Sequence, residues 1–245
     1  MKARKLGNPL PTPPLVMVHG GAGAGKSTVI HVISEWAQRI LQQAGDNVEQ
    51  PYIVKAAPTG CASSNIEGTT LHGAFGFAFD NKHNSLPEKT RDQRRAAMKN
   101  LKIVIIDEVS MVKVDLLYQL DLRLQEIKEK VGIPFGGVSV IAFGDLMQLR
   151  PVMGRFIFET SMNPEFHTVH RLASRWGMFS SVLLEKNHRQ GRDKDYADLL
   201  NRIRTGVHTE EDLDVLRTRV RPADHPDVKQ AELYIGCKRS DVEKM

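Results

Sequence analysis

Four glycines precede a lysine near the start of the chain, in the stretch HGGAGAGKST from His19 to Thr28. Glycine inside a strand or helix costs about 0.5–1 kcal/mol relative to alanine, so such a cluster needs a backbone reason. Gly20 to Ser27 fits G-x-x-x-x-G-K-[ST], in which backbone N–H groups and the positive end of the following helix face one phosphate. The stretch predicts a nucleotide phosphate loop formed by Gly20, Gly21, Gly23, Gly25, Lys26, Ser27 and Thr28.

Two adjacent carboxylates, Asp107 and Glu108, end the hydrophobic run in IVIIDEVSM. Open α/β sheets bind their ligands at the carboxyl ends of strands, so these carboxylates are predicted to face the phosphate loop. We expect Asp107 and the Ser27 hydroxyl to hold Mg²⁺, and Glu108 to orient or deprotonate the attacking water. A GTPase is expected to carry Asn-Lys-x-Asp for guanine, and NKHN at Asn81 lacks the aspartate.

Two further polar side chains complete the predicted chemistry. In FGDLMQLRPV, Gly144 lets the chain turn after a strand, and Gln148 is placed to reach the γ-phosphate or its water with a neutral amide. In NHRQ, Arg189 follows another apolar run, where its guanidinium is placed to pair with phosphate oxygens. The predicted catalytic residues are Lys26, Asp107, Glu108, Gln148 and Arg189.

Short apolar runs alternate with helical patterns along the chain. The runs are LVMV, YIVKAA, IVII and VSVIAF, and a helix is predicted over residues 27–44 after the first of them. The clearest helical stripe follows the third run and consists of Val114, Leu117, Leu120, Leu124 and Ile127. This alternation is typical of a parallel sheet with crossover helices. The predicted fold class is therefore α/β, a mostly parallel sheet with helices on both faces.

The character of the chain changes after the NHRQ motif. Two polar helices are predicted over about residues 194–204 and 209–219, followed by RPADHP as a linker and ELYIG as a strand. An α/β domain needs on the order of 100 residues, so ELYIG is predicted to open a truncated unit. The predicted domains are an ATP-binding domain over residues 1–190, a small helical element with its linker over 191–230, and the start of a second domain over 231–245. Residues 80–88, DNKHNSLPE, are predicted as an exposed loop.

Composition narrows the protein's class further. The 245 residues carry a formal net charge of +5 and two cysteines, which form neither a disulfide framework nor a zinc pattern. A run of about 18 apolar residues and a leading signal peptide are both missing, which predicts a soluble, intracellular protein with no membrane partner. Basic residues crowd segments 89–102 and 189–204. Charge runs are usually solvated faces, so these segments only weakly favour a nucleic-acid partner.

Six stretches in this order resemble the Pif-type DNA helicases, in the 5′-to-3′ branch of helicase superfamily 1. They are GGAGAGKST, APTGCASSN, TTLHGAF, IIDEVSM, FGDLMQLRPV and NHRQ. The resemblance implies a RecA-like motor domain that uses ATP and Mg²⁺ to translocate on single-stranded DNA and unwind forked DNA, with a second motor domain in the full-length protein. It also implies DNA contacts, with Phe75 supporting or stacking on a base, at Thr59, Gly60, Thr70, His72 and Phe75. Roles in DNA repair, recombination and telomere maintenance, in the nucleus of a eukaryotic cell, are implied as well.

The chain departs from the resembled family at three places. The segment MKARKLGNPLPTPP before the phosphate loop has no glutamine for adenine recognition, Arg150 stands where a proline is common, and Gly73 where a serine is common. Two alternatives stay open. One is a non-catalytic, ATP-gated clamp on single-stranded nucleic acid, and the other is an RNA-directed helicase of superfamily 1, since channels that track a backbone contact mostly phosphates and base faces.

Overall fold

The computed structural model describes residues 12–47, 49–78, 84–160, 175–190, 193–222 and 224–230. Within them, six strands form one sheet with the order β3-β2-β4-β5-β1-β6. Every neighbouring pair in this sheet is parallel. The strands are β1 (Leu15–Gly20), β2 (Ile53–Ala57), β3 (Thr69–Thr70), β4 (Ile103–Ile106), β5 (Ser139–Gly144) and β6 (Ser180–Leu184). The parallel sheet confirms the predicted α/β class.

Helices connect the strands and continue beyond β6. Those of the sheet domain are α1 (Lys26–Leu41), α2 (Gly60–Asn65), α3 (Leu71–Phe75), α4 (Glu88–Ala97) and α5 (Val114–Lys128). Beyond β6 lie α6 (Lys194–Thr205), α7 (Glu210–Arg217) and α8 (Pro226–Lys229). None of the helices in the described ranges is long and apolar enough to cross a membrane.

Alternate residues of the central strands point to opposite faces of the sheet, which is why the strand sequences are apolar without a break. Met17, Val104 and Val140 belong to the core on one face. Val18 and Ile105 belong to the core on the other face. Leu117, Leu120, Leu124 and Ile127 of α5 pack into the first core and Ile30 of α1 into the second, while Val114 packs with Tyr118 in a smaller cluster. Helices therefore cover both faces, as predicted.

Helix ends differ slightly from the sequence prediction. α1 ends at Leu41, three residues before the predicted end at Ala44. The buried stripe of α5 is confirmed, but the helix ends at Lys128 because Glu129 adopts a left-handed conformation, with φ 54°. Gly132 and Pro134, residue types that typically end a helix, come only after this cap.

The predicted loop over residues 80–88 is only partly a loop. Its first residues, 80–83, lie outside the described ranges. Leu86 is buried, and its backbone N–H donates to Glu126 Oε1 at 3.1 Å. Glu88 already belongs to α4. The exposed-loop prediction is therefore wrong for this end of the segment, because Leu86 is anchored against α5.

Part of the first basic segment serves the fold itself. The Arg94 guanidinium donates to the carbonyls of Ala74 and Gly73. Arg95 donates to the Glu126 carbonyl at 3.2 Å and pairs with Glu129 at 3.2 Å. These two charges hold α4 against neighbouring elements, so the segment is less available to a nucleic acid than its sequence suggests.

The chain divides into two compact units, with the boundary between Asp193 and Lys194. In the second unit, the Arg202 guanidinium contacts both carboxylate oxygens of Asp212, at 2.7 Å and 2.5 Å. Hydrogen bonds from Arg202 hold the pKa of Asp212 well below its usual range. The two predicted polar helices are present as α6 and α7. The predicted strand ELYIG lies outside the described residues.

Candidate functional site

The predicted motifs lie at the carboxyl ends of the strands, and because the strands are parallel these ends share one edge of the sheet. The residues that follow or end the strands β1 to β6 are, in that order, Gly21, Thr59, Thr70, Asp107, Gln148 and Arg189. β5 lies between β1 and β4, so the turn after β5 stands between the phosphate loop and the two carboxylates.

The phosphate loop has the backbone that its glycines predict. Gly23 and Gly25 adopt φ values of 79° and 85°, in the left-handed region that side chains avoid. α1 begins directly after Gly25, with no side chain capping its first N–H groups and no acidic residue in its first turn. These free N–H groups and the positive end of the helix form a site for an anion.

The Lys26 ammonium binds back to the start of the phosphate loop. Its Nζ donates to the carbonyl oxygens of Gly20 at 2.8 Å and of Gly21 at 3.0 Å. Gly20 and Gly21 therefore contact Lys26 rather than the cleft itself. This places a positive charge at the mouth of the loop, beside the N–H groups of α1.

One cleft in the first unit brings the predicted nucleotide and catalytic residues together. It is lined by Ala22, Gly23, Ala24, Gly25, Lys26, Ser27, Thr28, Asn65, Asp107, Glu108, Gln148, His188 and Arg189. All five predicted catalytic residues are among them. Sequence reasoning missed Asn65, at the end of α2, and His188, because neither stands at a motif spacing that predicts a ligand contact.

The NHRQ loop docks on the phosphate loop. The His188 backbone N–H donates to the Gly23 carbonyl at 2.9 Å. Asn187 Oδ1 accepts from the backbone N–H groups of Arg189 at 2.9 Å and Gln190 at 3.2 Å, which fixes the turn. A Cβ on Gly23 would lie 2.6 Å from Arg189 Cβ and 2.8 Å from Asn187 Oδ1. Gly23 is therefore needed for this docking as well as for its backbone conformation.

We expect Gly23→Ala to lower both the free energy of unfolding and the nucleotide affinity. Gly132→Ala is the matched control, because Gly132 has φ 80° and open space around its missing Cβ. The control carries only the backbone penalty of about 1–2 kcal/mol, whereas Gly23→Ala adds the clash with Arg189. Denaturant unfolding and titration with a fluorescent ATP analogue measure both quantities. Equal losses in the two variants would contradict the docking role.

Asp107 and Glu108 lie where the sequence predicts, directly after β4. The Asp107 carboxylate is buried, and its Oδ1 has no hydrogen-bond partner within the described residues. Burial raises the pKa of Asp107, opposed by the backbone N–H of Glu108 and the charge of Lys26. Burial also raises the pKa of Glu108, and the Asp107 charge adds to this. Two adjacent carboxylates, one buried and one half-buried, favour a nearby cation.

The residues present fit a magnesium ion. A buried carboxylate oxygen without a partner and the Ser27 hydroxyl line the same cleft, and oxygen ligands are what Mg²⁺ prefers. In the described part of the chain, His, Cys, Asp and Glu form no cluster of three that would hold a metal by itself. Mg²⁺ is usually bound by one or two protein oxygens together with substrate phosphates and waters.

Glu108 adopts a left-handed backbone conformation, with φ 49° and ψ 46°. A non-glycine residue there costs on the order of 1–2 kcal/mol. Such strain persists only where the surrounding structure imposes it, and it concentrates at functional sites. The conformation sets Glu108 at the cleft instead of continuing β4.

Asp145 holds Gln148 and was not identified by sequence reasoning. The Gln148 backbone N–H donates to the Asp145 carbonyl at 2.9 Å, and its Nε2 donates to Asp145 Oδ2 at 3.2 Å. Asp145 also accepts from the Met147 backbone N–H at 3.1 Å. Asp145 occupies one of the two amide N–H groups of Gln148, so the second N–H and the amide oxygen are left for a water or a phosphate in the cleft. Asp145 belongs to the FGDLMQLRPV stretch, but its position there does not by itself predict this role.

The predicted DNA-contacting threonines begin two helices at the same edge of the sheet. Thr59 caps α2 by accepting from the Ala62 N–H at 3.3 Å, and Thr70 caps α3 by accepting from the Gly73 N–H at 3.1 Å. Each hydroxyl keeps its own proton for a further acceptor. Gly60 is exposed, with open space around its missing Cβ.

Phe75 does not present its ring to solvent. It is 0% exposed and belongs to the core on the α5 side of the sheet. Stacking of Phe75 on a base is therefore wrong, because a base needs an accessible ring face. Its ring lies 5.9 Å from that of Phe77, and Phe77 contacts the half-buried His72 edge-on at 6.1 Å. Only the supporting role is consistent with this packing.

Comparison with known proteins gives one consistent family. Residues 11–214 match the family described as PIF1-like helicase. The chain is 33% identical over 241 residues to the ATP-dependent DNA helicase RRM3 of Saccharomyces cerevisiae, covering 93% of this chain and 30% of that protein. The chain spans between 25% and 30% of the length of the first three curated relatives.

Solved structures show the same fold. Bacteroides Pif1 bound to ssDNA superimposes with a TM-score of 0.67 and 30% identity, covering 94% of this chain and 51% of that chain. Pif1 helicase from Bacteroides in complex with ADP-AlF3 and ssDNA superimposes with a TM-score of 0.64 and 29% identity, covering 99% and 54%. The chain thus spans about half of each solved structure.

Proposed function

This chain belongs to the PIF1-like helicase family, and we propose that it provides an ATP-hydrolysing motor domain for 5′-to-3′ movement on single-stranded DNA. The observation that carries the proposal is the single cleft shared by the phosphate loop, both carboxylates, Gln148 and Arg189. The name of the yeast relative, an ATP-dependent DNA helicase, supports the same function. Phosphate release from ATP, measured with and without single-stranded DNA, tests it. A rate that DNA does not stimulate would contradict it.

The phosphate loop binds the nucleotide in this proposal. Backbone N–H groups from Gly21 to Thr28 surround the phosphates, and the Lys26 ammonium exchanges its two carbonyl partners for β- and γ-phosphate oxygens. Ser27 and Asp107 hold Mg²⁺, and the ion, when bound, neutralises phosphate charge and orients the phosphates.

The remaining catalytic residues act around the γ-phosphate. Glu108 takes the proton of the attacking water or orients it, and its raised pKa suits a general base. Gln148, steadied by Asp145, positions that water with its amide group. Arg189 pairs with phosphate oxygens, and its place is set by the contact between His188 and Gly23.

The nucleic-acid side of the proposal uses the helix starts after β2 and β3. Thr59, Gly60, Thr70 and His72 contact the backbone and bases of single-stranded DNA, with forked DNA as the wider substrate. α2 links the two functions, because Thr59 caps its first turn and Asn65, its last residue, lines the nucleotide cleft. A rigid helix of this length transmits a small displacement between DNA and nucleotide.

We expect Thr59→Asp to weaken single-stranded DNA binding about tenfold or more without unfolding α2. Aspartate caps a helix as well as threonine, so the helix is preserved, while the new negative charge repels phosphate. Gln43→Asp adds the same charge at an exposed position beyond the far end of α1. Fluorescence anisotropy with a labelled oligothymidine gives both affinities. Equal affinities for the two variants would remove Thr59 from the DNA path.

His72→Ala is expected to weaken DNA binding without changing its salt dependence. Burial, and then the charge of Lys113, lower the pKa of His72, so its imidazole is neutral at pH 7. A neutral group releases no counterion when DNA binds, so the slope of log affinity against log salt stays the same. The surface substitution His31→Ala is the control. A shallower slope for His72→Ala would mean that this histidine binds phosphate as a cation.

Unwinding itself is proposed to need a second motor domain that closes on the nucleotide and opens after hydrolysis, since translocation requires relative movement of two bodies. In this proposal, as the sequence predicts, residues 191–230 form a small helical element with its linker and residues 231–245 begin that second domain. Intracellular roles in DNA repair, recombination and telomere maintenance belong to this proposal too. Competition between DNA and RNA oligonucleotides decides the sugar preference.

A further inference from the structure

An exposed apolar and basic surface follows the end of β5, outside the nucleotide cleft. It consists of Met147, Leu149, Arg150, Val152, Met153 and Phe158, and we call it the 147–158 surface. Leu149 is 70% exposed, Met153 92% and Phe158 45%. Apolar side chains concentrated in one exposed segment mark an interaction site.

Planar side chains stack within this segment. The rings of Phe156 and Phe158 lie 5.0 Å apart between centroids and are inclined by only 13°. The Arg150 guanidinium carbon lies 5.2 Å from the centroid of the Phe156 ring. Unpaired bases stack on guanidinium and phenyl planes, and this stacking does not depend on the base sequence.

Lys113 contacts the 147–158 surface and acts electrostatically on His72. Lys113 pairs with Phe156 in an antiparallel bridge, and a Cβ on Gly154 would lie 2.6 Å from Lys113 Cδ, so the lysine stem lies along this segment. The charge of Lys113 acts on His72, which places the two residues near each other. Lys113 therefore connects the proposed DNA path at α3 with the stacked rings.

The charge of the segment favours an anionic partner over a second copy of the chain. Arg150 and Arg155 are exposed, and Lys113 adds a third cation. Glu159 is half-buried, and its Oε2 accepts from the Phe156 backbone N–H at 3.2 Å, so this carboxylate is engaged within its own turn. Two copies meeting through this surface would bring like charges together, whereas a nucleic-acid strand brings phosphates to the cations and bases to the rings.

We propose that the 147–158 surface stacks a base of the bound single strand on the exposed Phe158 ring, with Arg150 on Phe156 beside it, and so extends the DNA path beyond His72. The inference rests on the proposed function. It also joins the DNA to the γ-phosphate sensor, because Gln148 lines the nucleotide cleft while its neighbours Met147 and Leu149 belong to this surface.

The test measures binding of the full chain to fluorescein-labelled oligothymidine and to an abasic oligomer of the same length. Phe158→Ala is expected to weaken oligothymidine binding about fivefold or more, the lower end of the loss for one stacked base, and to leave abasic binding unchanged. Phe158→Trp is expected to restore the affinity. Leu149→Ser, at a more exposed position, is the second variant, and Val131→Ser, at another exposed apolar position, is the control.

Each outcome decides between distinct readings. Unchanged oligothymidine affinity in both Phe158→Ala and Leu149→Ser, with Thr59→Asp still impaired, overturns this inference and leaves the proposed function standing. If Phe158→Ala weakens binding of the abasic oligomer as much as binding of oligothymidine, stacking is overturned as the mechanism. A wild-type chain that binds no single strand at all contradicts the proposed function itself. A wild-type dimer in light scattering that Phe158→Ala converts to monomer would assign the surface to self-association and overturn the inference.

Discussion

Glu108→Gln is expected to lower DNA-stimulated ATP hydrolysis by about 10²-fold or more, while the affinity for Mg·ATP stays close to that of the wild type. The size of the loss is that of a positioned general base. Glutamine keeps the shape and the left-handed backbone of Glu108, so the variant removes only the charge and the proton acceptor. Phosphate release under saturating ATP and DNA measures the rate, and titration with a fluorescent ATP analogue measures the affinity.

The control for this variant is Glu129→Gln. Glu129 also adopts a left-handed conformation, with φ 54°, but it caps α5 and pairs with Arg95 away from the cleft. We expect its hydrolysis rate to be unchanged. Equal rates in Glu108→Gln and the wild type would make Glu108 structural and favour a nucleotide-gated clamp over an enzyme.

Glu108→Gln is expected to lower the rate of hydrolysis without lowering the stability of the fold. Burial and the neighbouring Asp107 charge both oppose its ionised form, so the ionised carboxylate destabilises the nucleotide-free fold. The raised pKa means that this penalty is absent at low pH and grows as the pH rises above the ordinary pKa of a glutamate toward the raised value. In metal-free buffer at pH 7, Glu108→Gln should therefore unfold no earlier than the wild type. A lower melting temperature would show that the lost activity reflects damage to the fold.

Lys26→Ala is expected to abolish most nucleotide binding, with an affinity loss of about 10²-fold. The ammonium is the positive charge closest to the phosphates, and charge-assisted hydrogen bonds contribute about 1.5–3 kcal/mol each. Removing it also releases the carbonyls of Gly20 and Gly21, which it holds at 2.8 Å and 3.0 Å. Titration with the same fluorescent analogue measures the loss, and circular dichroism checks that the fold persists.

Lys55→Ala is the matched control for Lys26→Ala. Lys55 belongs to β2 and pairs with Glu67 at 3.5 Å, so its removal takes the same charge from the domain without touching the cleft. Its nucleotide affinity should equal that of the wild type. A folded Lys26→Ala variant that binds ATP as well as Lys55→Ala would remove the phosphate-loop interpretation.

The predicted elements agree with the structure where the signal is local. The apolar runs LVMV and IVII form β1 and β4, and the stripe from Val114 to Ile127 is buried in α5. Periodicity and burial act within a few residues in such segments, so the sequence pattern is sufficient. The five catalytic residues of the cleft were predicted because each follows a strand and parallel strands bring their carboxyl ends to one edge.

Specific contacts made by the loops around the cleft could not be predicted from the sequence. Nothing in NHRQ indicates that the His188 N–H meets the Gly23 carbonyl, or that Gly23 must lack a Cβ to admit Arg189. Nor does the sequence show that Asp145 steadies Gln148 by bonding both its backbone and its amide. The contact between His188 and Gly23 depends on the order of strands in the sheet, which places β6 beside β1. The contact between Asp145 and Gln148, three residues apart, depends on how the turn after β5 folds.

The sequence by itself determined the α/β class, the phosphate loop and the carboxylates that follow β4, because strand, turn and helix signals and motif spacings are read along the chain. Only the tertiary structure decided which side chains remain available. Phe75 is buried by the core, the guanidinium of Arg94 is used by backbone carbonyls, and Phe158 is left exposed beside stacked partners. An aromatic or basic residue has the same chemistry in either place, and its exposure is set by packing between segments that are far apart in sequence.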